Sequence, residues 1–121
     1  HSCHAVAWSL MPDVDEDDFL PALTPYAIMK LGRVKLLPYF RPGDAAMGEA
    51  VRGLAGKRSA VMLANHGPVV AGKDVEAACN AIEELEDTAR LAMLMRGIPA
   101  RRLTDAQIAD LVDTFDVEWD A

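Results

Sequence analysis

Ala60-Val61-Met62-Leu63-Ala64-Asn65-His66-Gly67-Pro68-Val69-Val70-Ala71 reads as two short apolar strands joined at a polar tip. The unbroken run Ala60–Ala64 fits a strand buried on both faces. Asn65-His66-Gly67 is a turn signal, and Pro68–Ala71 resumes as the second strand of a hairpin. Gly72-Lys73 leaves it, and Asp74 is placed to cap a helix. In that helix Val75, Ala78, Cys79, Ile82, Leu85, Ala89, Ala92 and Met93 recur at three- and four-residue steps. Its opposite face carries Glu76, Glu83, Glu84, Asp87 and Arg90, with Glu86 and Arg90 as an i,i+4 pair. Gly97 and Pro99 end it.

Working upstream, Asp44 caps a helix running to about Leu54, with Met47, Val51 and Leu54 as its stripe and Gly56-Lys57-Arg58 as its end. Arg41-Pro42-Gly43-Asp44 is a turn. Val34–Tyr39 is strand-like, and Pro38 places it at a sheet edge or marks its end. Pro21–Leu31 is helix-compatible, stopped by Gly32. Asp13, Asp15, Glu16, Asp17 and Asp18 form a solvated acidic turn; without a Gly they do not make a calcium loop. Cys3–Met11 is a short helix that stops at Pro12. Downstream, Thr104 and Gln107 form a capping box for a last helix with the stripe Ile108, Leu111, Val112 and Phe115.

The chain has 121 residues, a net charge of −7 and 51% hydrophobic residues. That suits one packed domain or part of one, not a disordered chain. No apolar run approaches the ~20 residues of a membrane span. No basic cluster exceeds Arg101-Arg102, so neither nucleic acid nor membrane is an expected partner. Cys3 and Cys79 are too few for a disulfide scaffold and read as free thiols in a reducing cytoplasm. No secretory signal is evident, and the chain opens at His1 without an initiator Met. Both features point to a piece of a longer cytoplasmic polypeptide.

Three histidines carry most of the chemical potential. His1 and His4 share a face if their segment is helical. His66 sits at the hairpin tip beside Gly67, where a ligand can approach closely. Imidazoles suit zinc, iron, manganese or nickel. The alternative is two surface histidines near a terminus and one hydrogen-bonded turn histidine. Cys3 beside imidazoles is a candidate ligand or nucleophile, and otherwise a packed small hydrophobe.

Three blocks in order carry a family resemblance: His1-Ser2-Cys3-His4-Ala5-Val6-Ala7, Leu63-Ala64-Asn65-His66-Gly67-Pro68-Val69-Val70-Ala71-Gly72, and Glu83-Glu84-Leu85-Glu86-Asp87-Thr88-Ala89. Together they resemble the class II aldolase/adducin family over about residues 1 to 97. The stretch from Tyr26 to Asp44, with Leu37-Pro38-Tyr39-Phe40-Arg41-Pro42-Gly43-Asp44, looks most like its 3-oxo-tetronate 4-phosphate decarboxylase branch. The resemblance implies a three-layer α/β/α domain with a central mixed or antiparallel sheet, residues 1–121 being its C-terminal part. It implies a divalent metal, usually zinc, bound by a His-x-His pair and a later His before Gly. His1 matches the second of the pair and His66 the later ligand.

The first His, a catalytic Glu and the phosphate-binding segments would lie upstream. His4 would support the ligands or the packing, and Tyr26 would reach the active site of a neighbouring subunit, or serve in the core or an interface. The implied chemistry is carbon–carbon lysis on a small phosphorylated sugar acid, namely decarboxylation to dihydroxyacetone phosphate through a metal-stabilised enediolate. Aldolase or epimerase activity of the L-fuculose- or L-ribulose-phosphate type is the alternative within the family. A non-catalytic adducin-like assembly module is the alternative of another class. Homotetramers with active sites at subunit contacts are the implied assembly.

Overall fold

The computed structural model describes residues 2–54, 57–117 and 119. Its elements are α1 (Cys3–Ser9), α2 (Pro25–Leu31), β1 (Lys35–Leu37), α3 (Ala45–Arg52), β2 (Ala60–Leu63), β3 (Gly67–Val70), α4 (Val75–Met95) and α5 (Asp105–Phe115). The sheet is mixed, in the order β1-β2-β3. β1 runs parallel to β2, with Leu36 opposite Met62 and Leu37 opposite Leu63. β3 runs antiparallel to β2, from Ala60 opposite Val70 to Leu63 opposite Gly67.

Side chains alternate across a strand, so each strand feeds two layers. Leu36, Ala60 and Met62 point into a core shared with Ala5 of α1, Leu31 of α2 and Ala81, Leu85 and Ala89 of α4. Leu37, Val61 and Leu63 point the other way, against Met47, Ala50, Val51 and Leu54 in and just after α3. All four β2 residues are buried, as the unbroken apolar run predicts. Helices thus cover both faces of the sheet, the α/β/α layering expected from the resemblance.

Chain termini and turns are set locally. Thr24 caps α2, accepting from the Ala27 N–H, and Pro25 takes the first helical position. The helix therefore begins at Pro25 and not at Pro21: the residue before a proline is driven to extended backbone, and Thr24 has φ −133° and ψ 150°. Asp44 and Asp74 cap α3 and α4 as expected. Thr104 and Gln107 complete the capping box of α5. At Gly72 a Cβ would fall 2.7 Å from the Ala78 backbone nitrogen, so the exit from β3 can pass close to α4 only as glycine.

Several boundaries and core assignments differ from expectation. α1 ends at Ser9, short of Met11. β1 is confined to Lys35–Leu37 because Pro38 cannot donate to a ladder. α3 stops at Arg52, and the expected stop at Gly56 lies outside the described residues. Val75 is 79% exposed and Cys79 is exposed, because the first turns of α4 run past the end of the core. α5 lies against α2 and buries no residue fully; Phe115 is solvent-facing. Cys3 is exposed rather than packed, and both thiols are free. The acidic turn is anchored as well as solvated: the Leu36 N–H donates to the Glu16 carbonyl at 2.7 Å and the Phe19 N–H to the Val34 carbonyl at 2.9 Å. That backbone pairing covers the outer edge of β1.

Leu85 has no exposed surface and sits where α4 meets the sheet. Leu85→Ala is expected to cost about 2–5 kcal/mol in urea unfolding, as buried leucine truncations do.

Candidate functional site

His66 occupies the hairpin tip between β2 and β3. Its N–H donates to the Leu63 carbonyl at 3.1 Å, closing the turn. Asn65 stands at the third position of that turn with φ +64°, a left-handed conformation that asparagine tolerates better than most residues. Two further bonds fix the tip from outside the hairpin. The Ala64 N–H donates to the Leu37 carbonyl at the end of β1, at 3.1 Å. The Asn65 N–H donates to Ser9 Oγ, at the end of α1, at 3.2 Å. Ser9 is buried, and its hydroxyl donates in turn to the Val6 carbonyl at 2.6 Å. The backbone under His66 is therefore held by three elements while its imidazole is exposed.

The other end of α1 is held by α4. Glu86 Oε2 accepts from the His4 N–H at 3.0 Å and from His4 Nδ1 at 2.7 Å. Glu86 Oε1 accepts from the Ala5 N–H at 2.9 Å. The residue at the N-cap position, Ser2, makes no side-chain cap of its own. Burial pushes the Glu86 carboxyl up, but the bonds from the His4 ring, the His4 backbone and the Ala5 backbone together outweigh it and hold it below its ordinary value of 4.5. Nδ1 is the protonated ring nitrogen of His4, given its carboxylate partner.

His4 is thus tied to α4 through Glu86. Glu86 does not join Arg90 on the outer face; it turns toward α1. This role does not follow from the charge pattern of α4. The signal was present: Glu86 lies four residues after Ile82 and three before Ala89, inside the apolar stripe and not opposite it.

Tyr26 lies on the first turn of α2 and is 60% exposed, so it is not a core residue. His1 lies outside the described residues. Among the described residues no three His, Cys, Asp or Glu side chains converge as a metal site. An exposed imidazole on a pinned turn is a fitting nitrogen donor for a divalent cation, as one member of a ligand set and not the whole of it. Among the described residues no helix is long and apolar enough to cross a membrane.

Comparison with known proteins places this geometry. The family model "Class II Aldolase and Adducin N-terminal domain" matches residues 1–93. A 3-oxo-tetronate 4-phosphate decarboxylase of Pectobacterium atrosepticum is 44% identical over 111 residues, 92% of this chain and 51% of the relative. The protein of that name from Cupriavidus necator is 43% identical over 123 residues, 98% of this chain and 57% of the relative. The crystal structure of YgbL from Escherichia coli carries a provisional aldolase/epimerase/decarboxylase assignment. It superposes with a TM-score of 0.86 at 41% identity, over 89% of this chain and 52% of that one. The chain spans about half the length of the curated relatives it matches.

The lowered Glu86 carboxyl has a consequence for stability. A carboxyl held low by folding adds stability that is fully present above its unfolded value and is lost as pH falls through the folded one. Urea unfolding free energies are therefore expected to fall more steeply below pH 4.5 for the unaltered protein than for Glu86→Gln. The difference between the two profiles cancels Asp17, held low by Lys35, and Asp18, pushed up by burial.

Proposed function

The chain belongs to the class II aldolase and adducin family, and from that premise we propose that it forms part of a metal-dependent carbon–carbon lyase acting on a small phosphorylated sugar acid. The specific reaction is decarboxylation of a 3-oxo-tetronate 4-phosphate to dihydroxyacetone phosphate. The observation that carries this is the hairpin tip: an exposed imidazole, His66, on a turn whose backbone is bonded to β1, β2 and α1. The names of the relatives support the substrate class.

In this proposal His1 and His66 hold a divalent cation, zinc in the first instance, with a further His from an upstream segment of the same domain. When bound, the cation supplies a positive charge beside the oxygen on which negative charge develops as carbon dioxide leaves. The chain's own contribution is positional. The bonds from the Ala64, Asn65 and His66 amides hold in place the backbone that carries the imidazole, and ligand geometry is sensitive to such support. His66 must present a neutral ring nitrogen to bind metal. We assign Tyr26, which is exposed on α2, a role at the site of a neighbouring subunit in a homotetramer. A cytoplasmic location accords with free thiols.

The test is made on the full-length protein. His66→Ala is expected to lose both bound zinc and turnover of 3-oxo-tetronate 4-phosphate, with the far-UV circular dichroism unchanged. Full zinc content and full turnover in that variant overturn the proposal; zinc binding without decarboxylation in the unaltered protein moves the activity to an aldolase or epimerase. Cys3→Ser is expected to leave turnover unchanged, since the thiol is solvent-facing and has no part in the scheme.

A further inference from the structure

We propose that Glu86 is a positioning residue for the metal site: from α4 it fixes the start of α1, and with it the backbone that follows His1. The inference rests on the metal site proposed above. One carboxylate receives three hydrogen bonds, from the backbone N–H groups of His4 and Ala5 and from the His4 ring. These are two of the amides at the start of α1 that have no partner within the helix, and Ser2 offers no side chain to them. Ser2 is 8% exposed, and its carbonyl accepts the first internal bond of α1, from the Val6 N–H at 2.9 Å. This buried residue at the head of α1 is joined to His1 by one peptide bond.

The far end of α1 makes the arrangement more than a cap. There Ser9 Oγ holds the Asn65 N–H, next in sequence to His66. The two candidate ligands in this chain are attached to segments at opposite ends of one helical element. α1 is seven residues long, roughly 10 Å at the α-helical rise. It acts as a spacer between those segments, and Glu86 is the side chain that sets where the spacer lies. A glutamine cannot replace it: its amide keeps one accepting oxygen and turns an NH2 group toward N–H donors.

The experiment measures zinc affinity of the full-length protein by competition with a chromophoric chelator, alongside thermal unfolding of the metal-free form. Glu86→Gln is expected to weaken zinc binding about 10- to 100-fold, the range for loss of a residue that orients metal ligands. Ala81→Gly, a change at a buried position five residues earlier on α4, is expected to lower the unfolding temperature while leaving zinc affinity unaltered. Wild-type zinc affinity in Glu86→Gln overturns the proposal. So does an equal loss of affinity in Ala81→Gly at matched unfolding temperature, because Glu86 would then act through stability alone. Glu86→Asp, which keeps the charge but is one methylene short, serves if the glutamine variant does not fold. Loss of affinity supports the proposal and retention overturns it. His66→Ala separates the two levels: if it retains zinc, the metal site itself is refuted and this inference with it. If it loses zinc while a folded Glu86 variant retains it, only the role of Glu86 is refuted.

Discussion

A seven-residue helix does not persist in water by itself, because nucleation costs more than so few internal bonds return. α1 exists in this fold because a carboxylate on α4 receives its first amides and a side chain. Hydrogen bonds to an ionised acceptor are roughly twice as strong as neutral ones. Glu86 is only 26% exposed at its side chain, so little water competes for them. The dependence continues from there. α1 supplies Ala5 to the larger core, Trp8 Nε1 donates to the Phe19 carbonyl at 2.8 Å, and Ser9 receives the hairpin tip. Release of one carboxylate would loosen the helix, the covering segment beside β1 and the seat of His66 together.

The sheet divides the remaining work. β2 is central and buried throughout, and its alternate residues serve two cores that do not mix. Three helices, α1, α2 and α4, share one face, and α3 with its following turn covers the other. This explains why the hairpin tip projects as it does. The strands end where both layers have been filled, and Ala64, still packed against the larger core, leads into Asn65 and His66, which are exposed beyond it; the tip is bonded to the ends of β1 and α1.

Much of this was legible because the determining signals are local. The unbroken run Ala60–Ala64, the turn residues Asn65-His66-Gly67, the caps Asp44 and Asp74 and the Thr104–Gln107 box each act within a few residues, and each is found where the pattern puts it. Parallel pairing of β1 was not legible, since a three-residue strand carries no mark of its direction. Val75 and Cys79 kept the helical period but had no core left to enter. α2 starts at Pro25 and not at Pro21 because Thr24-Pro25 supplies both the cap and the first-turn proline. At the site, His66 on a rigid tip could be read from turn chemistry alone. The place of Glu86 inside the apolar stripe could be read too, but not its partner His4, which depends on which way the long helix docks.

His4 and Glu86 stand 82 residues apart in the chain. Ribosomes add roughly 5–20 residues per second, so the segment that becomes α1 leaves the site of synthesis roughly 4–16 s before the residue that secures it has been made. A local loop would form on its own in microseconds. Through that interval the segment from Ser2 to Ser9, with Val6 and Trp8 uncovered, is open to chaperones or to wrong neighbours.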